Sequence, residues 1–183
     1  FYILIITLFI VTIISWIEFN GLISKVFKPN LNILFIKLLS LIYLIIFSLF
    51  VTFGILQDNF KLNFLYLFLT CIFSDVGGLI FGKIFKGKKL TKISPNKTIS
   101  GSIGSFLMSL LLVPLFYFLI NEKFFNLFDL ILISIFTSLF CQIGDLCISF
   151  LKRKAEVKDT GNILPGHGGL LDRIDGMLLA IPI

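Results

Sequence analysis

Histidine and tryptophan each occur once in this 183-residue chain, and cysteine three times. Cys71, Cys141 and Cys147 fall inside apolar runs, with no Cys-x-x-Cys pair and no histidine beside them. That argues against a zinc or redox centre and for small buried side chains. Charge is sparse as well, since only 14% of residues are Asp, Glu, Lys or Arg. A soluble domain of this size leaves most side chains partly exposed and needs more polar surface than that, so no soluble domain is expected. No internal repeat is evident, and no small-residue cleavage site follows the apolar N-terminus as a removed signal peptide would require. The basic residues give a formal net charge of +6 but sit in short loops between apolar runs, not on one soluble face. Nucleic acid is therefore not an expected partner.

What remains is mostly hydrocarbon. Hydrophobic residues make up 57% of the chain. They cluster in runs near the ~20 residues that a helix needs to cross a bilayer. Six apolar segments are read at roughly 1–17, 31–56, 62–82, 99–120, 124–150 and 168–183. The expected fold is all-α, a polytopic membrane helical bundle of about six spans. Because the chain opens on Phe1 and stops in an apolar stretch at Ile183, it is expected to be a truncated form of its fold. Loops after the first, third and fifth segments hold Lys25 and Lys28, then Lys83, Lys86, Lys88, Lys89, Lys92 and Lys97, then Lys152, Arg153, Lys154 and Lys158. The intervening loops hold Lys61 and Lys123. The positive-inside rule places the three basic loops together in the cytoplasm. Residues 1–70 read as N-terminal spans and 71–183 as the catalytic part of the same membrane domain, with cytoplasmic loops 83–98 and 151–167.

Several polar residues are out of place in such a chain. Asp75 (in FSDVGGLIFGK) and Asp145 (in CQIGDLCISFLKR) lie near the cytoplasmic ends of apolar segments. A carboxylate at the centre of a span costs about 2.5–3.5 kcal/mol on insertion scales, so each needs a partner, a metal or water. A helix–helix hydrogen bond or interior salt bridge is one account. The spacing of Gln142, Asp145, Ser149 and Lys152 adds another, because steps of three and four place them on one helical face as a polar stripe. Asp172 and Asp175 (in LLDRIDG) are likewise one turn apart. With Asp145 they suit Mg²⁺, a hard ion that uses one or two carboxylates, waters and substrate phosphates. PGHGG ahead of them supplies backbone N–H groups at a helix start, a natural anion site. In KISPNKTISGSIGS a helix is expected to start near Thr98, and Ser94 and Lys97 are candidates for phosphate contacts. Gly101, Ser105 and Ser109, with Gly78 and Gly82 before them, form small-residue faces for close helix packing.

SFLKRKAEVKDTGNILPGHGGLLDRID, Ser149 to Asp175, resembles the signature of CDP-diglyceride synthetases (phosphatidate cytidylyltransferases). QIGDL and the SDVGGLIFGK…ISPNKT…SGSIGS block are similar to that family's other polar segments, so the resemblance runs from about Asp75 to Gly176. It departs from the family at GLIFGK, where an aromatic-Gly-Arg stretch is usual, and at Ser100, where an acidic residue is usual. The resemblance implies a nucleotidyltransferase that converts CTP and phosphatidate to CDP-diacylglycerol and pyrophosphate in phospholipid biosynthesis. It implies Asp145 and Asp172 as metal ligands, with Mg²⁺ and a second, monovalent cation such as K⁺. Lys152, Arg153, Lys158, Asp159, Arg173 and Asp175 join them as catalytic residues. Asp75, Ser94, Lys97, Ser149, His167, Gly168 and Gly169 are the implied substrate contacts, with His167 either a phosphate donor or a turn-stabilising residue. The implied setting is the bacterial inner membrane, as a homodimer in the bilayer with its site toward the cytoplasm. Two other readings stand beside this one: a CTP-dependent isoprenoid-alcohol kinase of the same superfamily, and a transporter using the intramembrane aspartates.

Overall fold

A computed structural model of the chain describes residues 2–91, 94, 97–119, 126–163, 166 and 168–182. Lys92, Lys123, His167 and the proline of PGHGG, Pro165, fall outside the described residues. The helices are α1 (Tyr2–Val26), α2 (Leu31–Leu56), α3 (Lys61–Phe85), α4 (Ile99–Leu110), α5 (Leu112–Leu119), α6 (Leu127–Lys154) and α7 (Leu171–Ala180). Among the described residues there is no β-strand; Lys89 and Thr98 pair in an isolated antiparallel bridge.

Among the described residues, each of the six apolar segments contains a helix. Five stretches of the described residues are long and apolar enough to cross a membrane: α1, α2, α3, α4 with α5, and α6. The chain is a polytopic integral membrane protein. Ile3, Phe9, Leu34 and Phe118 are among many large apolar side chains left exposed, as suits helices whose solvent is hydrocarbon. Two segments differ from the simple pattern. The 99–120 segment is broken at Leu111, because Pro114 has no N–H to offer the Leu110 carbonyl, and a proline is tolerated only in the first turn of the helix that follows. The last segment yields only α7, whose 10 residues are about half a span.

The chain divides into two compact units, each discontinuous in sequence: Phe1–Phe53 with Cys147–Asp175, and Gly54–Leu146 with Gly176–Ile183. In the first unit, Trp16 Nε1 of α1 donates to the Lys37 carbonyl of α2 at 3.1 Å, and Lys37 Nζ donates to Ser24 Oγ at 2.6 Å. In the second, Tyr66, Leu112, Val113, Phe116 and Leu130 form an apolar core. The buried Tyr66 hydroxyl donates to the Leu130 carbonyl at 2.9 Å and shares a hydrogen bond with Ser134 Oγ, which keeps its polar end satisfied away from water. α3 and α4 lie close enough that a Cβ on Gly101 would meet the Gly78 carbonyl at 2.8 Å, and one on Gly78 would meet Ser105 Oγ at 2.8 Å. The small-residue faces are thus used within one chain, between these two helices.

Candidate functional site

The second unit holds a cavity of about 290 Å³ lined by Asp75, Ser94, Lys97, Ser102, Gln142 and Asp145, among others. Its floor exists because α3 and α4 pack through glycine and serine, and its rim because the α3–α4 connection folds back on itself. Lys86, the residue after α3, is in the left-handed region at φ 42°, and the Leu90 N–H then donates to the Lys97 carbonyl at 2.8 Å. Thr98 caps α4, its hydroxyl accepting from the Gly101 N–H at 3.0 Å, as its place before the helix predicts. Ser100 Oγ accepts from the Gly87 N–H at 3.2 Å, so the position that lacks the family's usual acidic residue helps to close this connection.

These turns bring Lys97 onto the cavity, where its Nζ forms an ion pair with Asp145 Oδ2 of α6. On the same cavity Ser102 Oγ donates to Gln142 Oε1 at 2.5 Å, and Asp75 Oδ1 accepts from the buried Cys141 Sγ at 3.3 Å. Asp75, Ser94, Lys97 and Asp145 are thus brought together. Ser102 joins them although sequence reasoning had not placed it there; it was visible as a polar residue in the helix that Thr98 starts. Cys141, a buried side chain that touches Asp75, gave no signal beyond burial.

In the first unit, α6 ends on Lys152, Arg153 and Lys154, cations suited to the negative end of a helix dipole. Glu156, at φ 56°, turns the chain into the glycine-rich loop. Asp172, in the first turn of α7, gathers that loop around itself. Lys152 Nζ donates to its Oδ1 at 2.7 Å. Its Oδ2 accepts from the Thr160 N–H at 2.8 Å, the Thr160 hydroxyl at 3.0 Å and the Gly169 N–H at 3.0 Å. Burial pushes the Asp172 carboxyl up, but the Lys152 ammonium and the two backbone N–H groups outweigh it and hold the group below the ordinary carboxylate range. Gly168 sits at φ +83°, and a Cβ there would meet Asp159 Cγ at 3.1 Å, so Asp159 lies against it. Ser149 is half-buried, while Arg153, Lys158 and Arg173 are exposed.

Glu18 of α1 completes this arrangement, and sequence reasoning missed it. It is only 5% exposed. Its carboxylate accepts from the Leu170 N–H at 3.0 Å, the Leu171 N–H at 2.8 Å and the Thr160 hydroxyl at 3.0 Å. The available signal was an acid in an apolar helix, obscured because the first segment was read as ending at residue 17. Thr160 was passed over as the variable position between Lys158-Asp159 and Gly161. The N–H groups at the start of α7, expected to face an anion, therefore face carboxylates of the chain itself.

The profile of the cytidylyltransferase family matches residues 1–183. The chain belongs to that family. Among its relatives, the phosphatidate cytidylyltransferase of Staphylococcus haemolyticus (strain JCSC1435) is 45% identical over 120 residues, which are 65% of this chain and 46% of the relative. That of Bacillus subtilis (strain 168) is 44% identical over 121 residues, 64% of this chain and 45% of the relative. That of Staphylococcus aureus (strain COL) is 45% identical over 120 residues. The chain thus spans about half the length of the curated relatives it matches. Within this family member the donors around the cavity are carboxylate, amide and hydroxyl oxygens, which suit a hard cation. Among the described residues no three His, Cys, Asp or Glu side chains form a metal-binding group.

Proposed function

We propose that this chain carries the catalytic part of a phosphatidate cytidylyltransferase. A phosphate oxygen of phosphatidate attacks the α-phosphorus of CTP, the bond from that phosphorus to the bridging oxygen of the β-phosphate breaks, and pyrophosphate leaves with CDP-diacylglycerol as the product. The lipid phosphate is already an anionic nucleophile near neutral pH, so no catalytic base is required. The difficulty is electrostatic, since two polyanions must meet and charge builds on the leaving group. Lys97, Lys152, Arg153, Lys158 and Arg173 are the cations available to meet it. The family resemblance names Asp145 and, separately, Asp172 as carboxylates for Mg²⁺, with K⁺ as a further cation; of the two, Asp145 lines the oxygen-rich cavity, and Mg²⁺ when bound would supply neutralisation of phosphate charge.

The observation that carries this reading is the Lys97–Asp145 pair on a cavity lined by hydroxyl, amide and carboxylate oxygens in a membrane-embedded unit. The pair puts a cation beside a carboxylate where an unpaired charge is expensive, and the Lys97 ammonium is a donor suited to a phosphate oxygen. The relatives' names favour cytidylyl transfer over γ-phosphoryl transfer to an isoprenoid alcohol and over transport. The site is assigned to the cytoplasmic face of a bacterial inner membrane on the basic loops, where CTP arrives from water and phosphatidate from the bilayer. A homodimer is carried by the family resemblance alone, since the small-residue faces are spent between α3 and α4. The test is pyrophosphate release by purified protein in detergent micelles. Release that requires both CTP and phosphatidate supports the reading, and release without the lipid, or none with both, refutes it.

A further inference from the structure

Nothing in the reaction requires Glu18, yet it is the one acidic side chain buried within α1, and it takes three hydrogen bonds from the loop that carries Asp172. Two of that loop's glycines stand against its carboxylate. A Cβ on Gly161 would lie 2.5 Å from Glu18 Oε1, and one on Gly169 would lie 2.6 Å from Glu18 Oε2. Neither glycine has a positive φ, so it is space rather than backbone angle that requires them. The Thr160 hydroxyl lies within 3.0 Å of both Glu18 Oε2 and Asp172 Oδ2. It has a single proton, so at any moment it donates to one of the two carboxylates while both remain anchored by N–H groups.

We infer that Glu18 is a positioning residue: it seats its carboxylate between Gly161 and Gly169, caps the start of α7, and through Thr160 fixes the orientation of Asp172. The glycines of the loop, on this view, admit a carboxylate from a distant helix, and the N–H groups of Leu170 and Leu171 hold Glu18 in place of a substrate phosphate. A carboxylate at a helix N-terminus is favoured by the helix dipole, and charge-assisted bonds to N–H groups are stronger than neutral ones. The consequence for catalysis rests on the cytidylyltransferase reading; the consequence for the loop does not.

The experiment compares the wild-type chain with Glu18→Gln, Glu18→Asp and Thr160→Val in detergent. It follows amide hydrogen exchange at Thr160 and Gly169–Leu171, turnover of CTP with phosphatidate, and thermal unfolding. Glu18→Gln keeps the shape but turns one acceptor into a donor facing donors. Exchange at Leu170 and Leu171 is expected to accelerate about tenfold to a hundredfold, the range that follows from losing one bond to a charged group. The Mg²⁺ concentration for half-maximal turnover is expected to rise and kcat to fall, with KM for phosphatidate unchanged. Glu18→Asp, which keeps the charge, recovers part of both effects. Thr160→Val leaves the exchange at Leu170 and Leu171 slow while shifting the Mg²⁺ response, and it supplies the decision if Glu18→Gln does not fold. Unchanged exchange at Leu170 and Leu171 in folded Glu18→Gln overturns the inference, as does activity that merely tracks the folded fraction in Glu18→Gln and Thr160→Val alike. A wild-type chain inactive toward CTP and phosphatidate overturns the functional reading, and the exchange measurements then decide the role of Glu18 alone.

Discussion

Replacing Asp172 by Asn tests how the loop is held. The carboxylate takes Lys152 on one oxygen and two N–H groups with the Thr160 hydroxyl on the other. Asparagine offers one acceptor oxygen, so its NH₂ must meet either the ammonium or the pair of N–H donors. Its side chain is 9% exposed, so solvent replaces little of what is lost. Breaking a buried pair by removing one partner costs about 3–5 kcal/mol. At roughly 2–4 °C per kcal/mol for a chain of this size, the lower end corresponds to a fall of roughly 6–12 °C in the unfolding midpoint. The pH dependence has a definite sign. The folded-state pKa of Asp172 lies below its unfolded value of about 3.9, so its contribution is complete above that value and is lost as pH falls through the folded pKa. Thermal unfolding of wild type and Asp172→Asn in the same detergent should give a constant gap from neutral pH down to about 5, shrinking below about 4. CTP-dependent turnover should be abolished while membrane insertion persists. Equal stability at neutral pH, or a gap that does not narrow in acid, would refute the bonding scheme.

Asp145→Asn should also abolish turnover, with the protein still inserted, because Lys97 loses its partner and the cavity a carboxylate; near-normal turnover at saturating Mg²⁺ removes Asp145 from the site. Gly168→Val forces a β-branched residue to φ +83° against Asp159, a left-handed position that costs an L-residue about 1–2 kcal/mol, so turnover per folded molecule should fall more than stability does. Equal losses in the two measurements would make that turn mere packing. Cysteines placed at Lys88 and Glu156 in a cysteine-free background should label from the same, cytoplasmic side; labelling from opposite sides breaks the assignment of loops 83–98 and 151–167 to one face.

The features legible in sequence are those written in local periodicity and local chemistry. Span lengths gave α2 at its bounds of 31–56, Thr98 announced its helix, and the four-residue spacing of small side chains announced the α3–α4 contact. Asp145 and Lys97 were singled out by an expensive charge in an apolar segment and by a basic loop, although neither signal named them as partners. Glu18 was missed because its partners Thr160, Leu170 and Leu171 lie 142, 152 and 153 positions away. No periodicity encodes such a contact. The glycine-rich loop was recognisable by its residues, but whether its N–H groups face a substrate or a carboxylate of the chain depends on where α1 lies. The last segment, 168 to 183, is already short for a span, and its helix is shorter still because residues 168–170 belong to the glycine-rich loop.

The most direct measurement follows the two ends of the CTP triphosphate. Purified protein in phosphatidate-containing micelles with Mg²⁺ is supplied with CTP labelled at the α-phosphate or, separately, at the γ-phosphate. Cytidylyl transfer requires the α-label to appear in an organic-extractable lipid and the γ-label in pyrophosphate, in equal amounts, with both signals lost in Asp145→Asn. A γ-label that enters the lipid, with the α-label left in CDP, would contradict it and assign the chain to phosphoryl transfer.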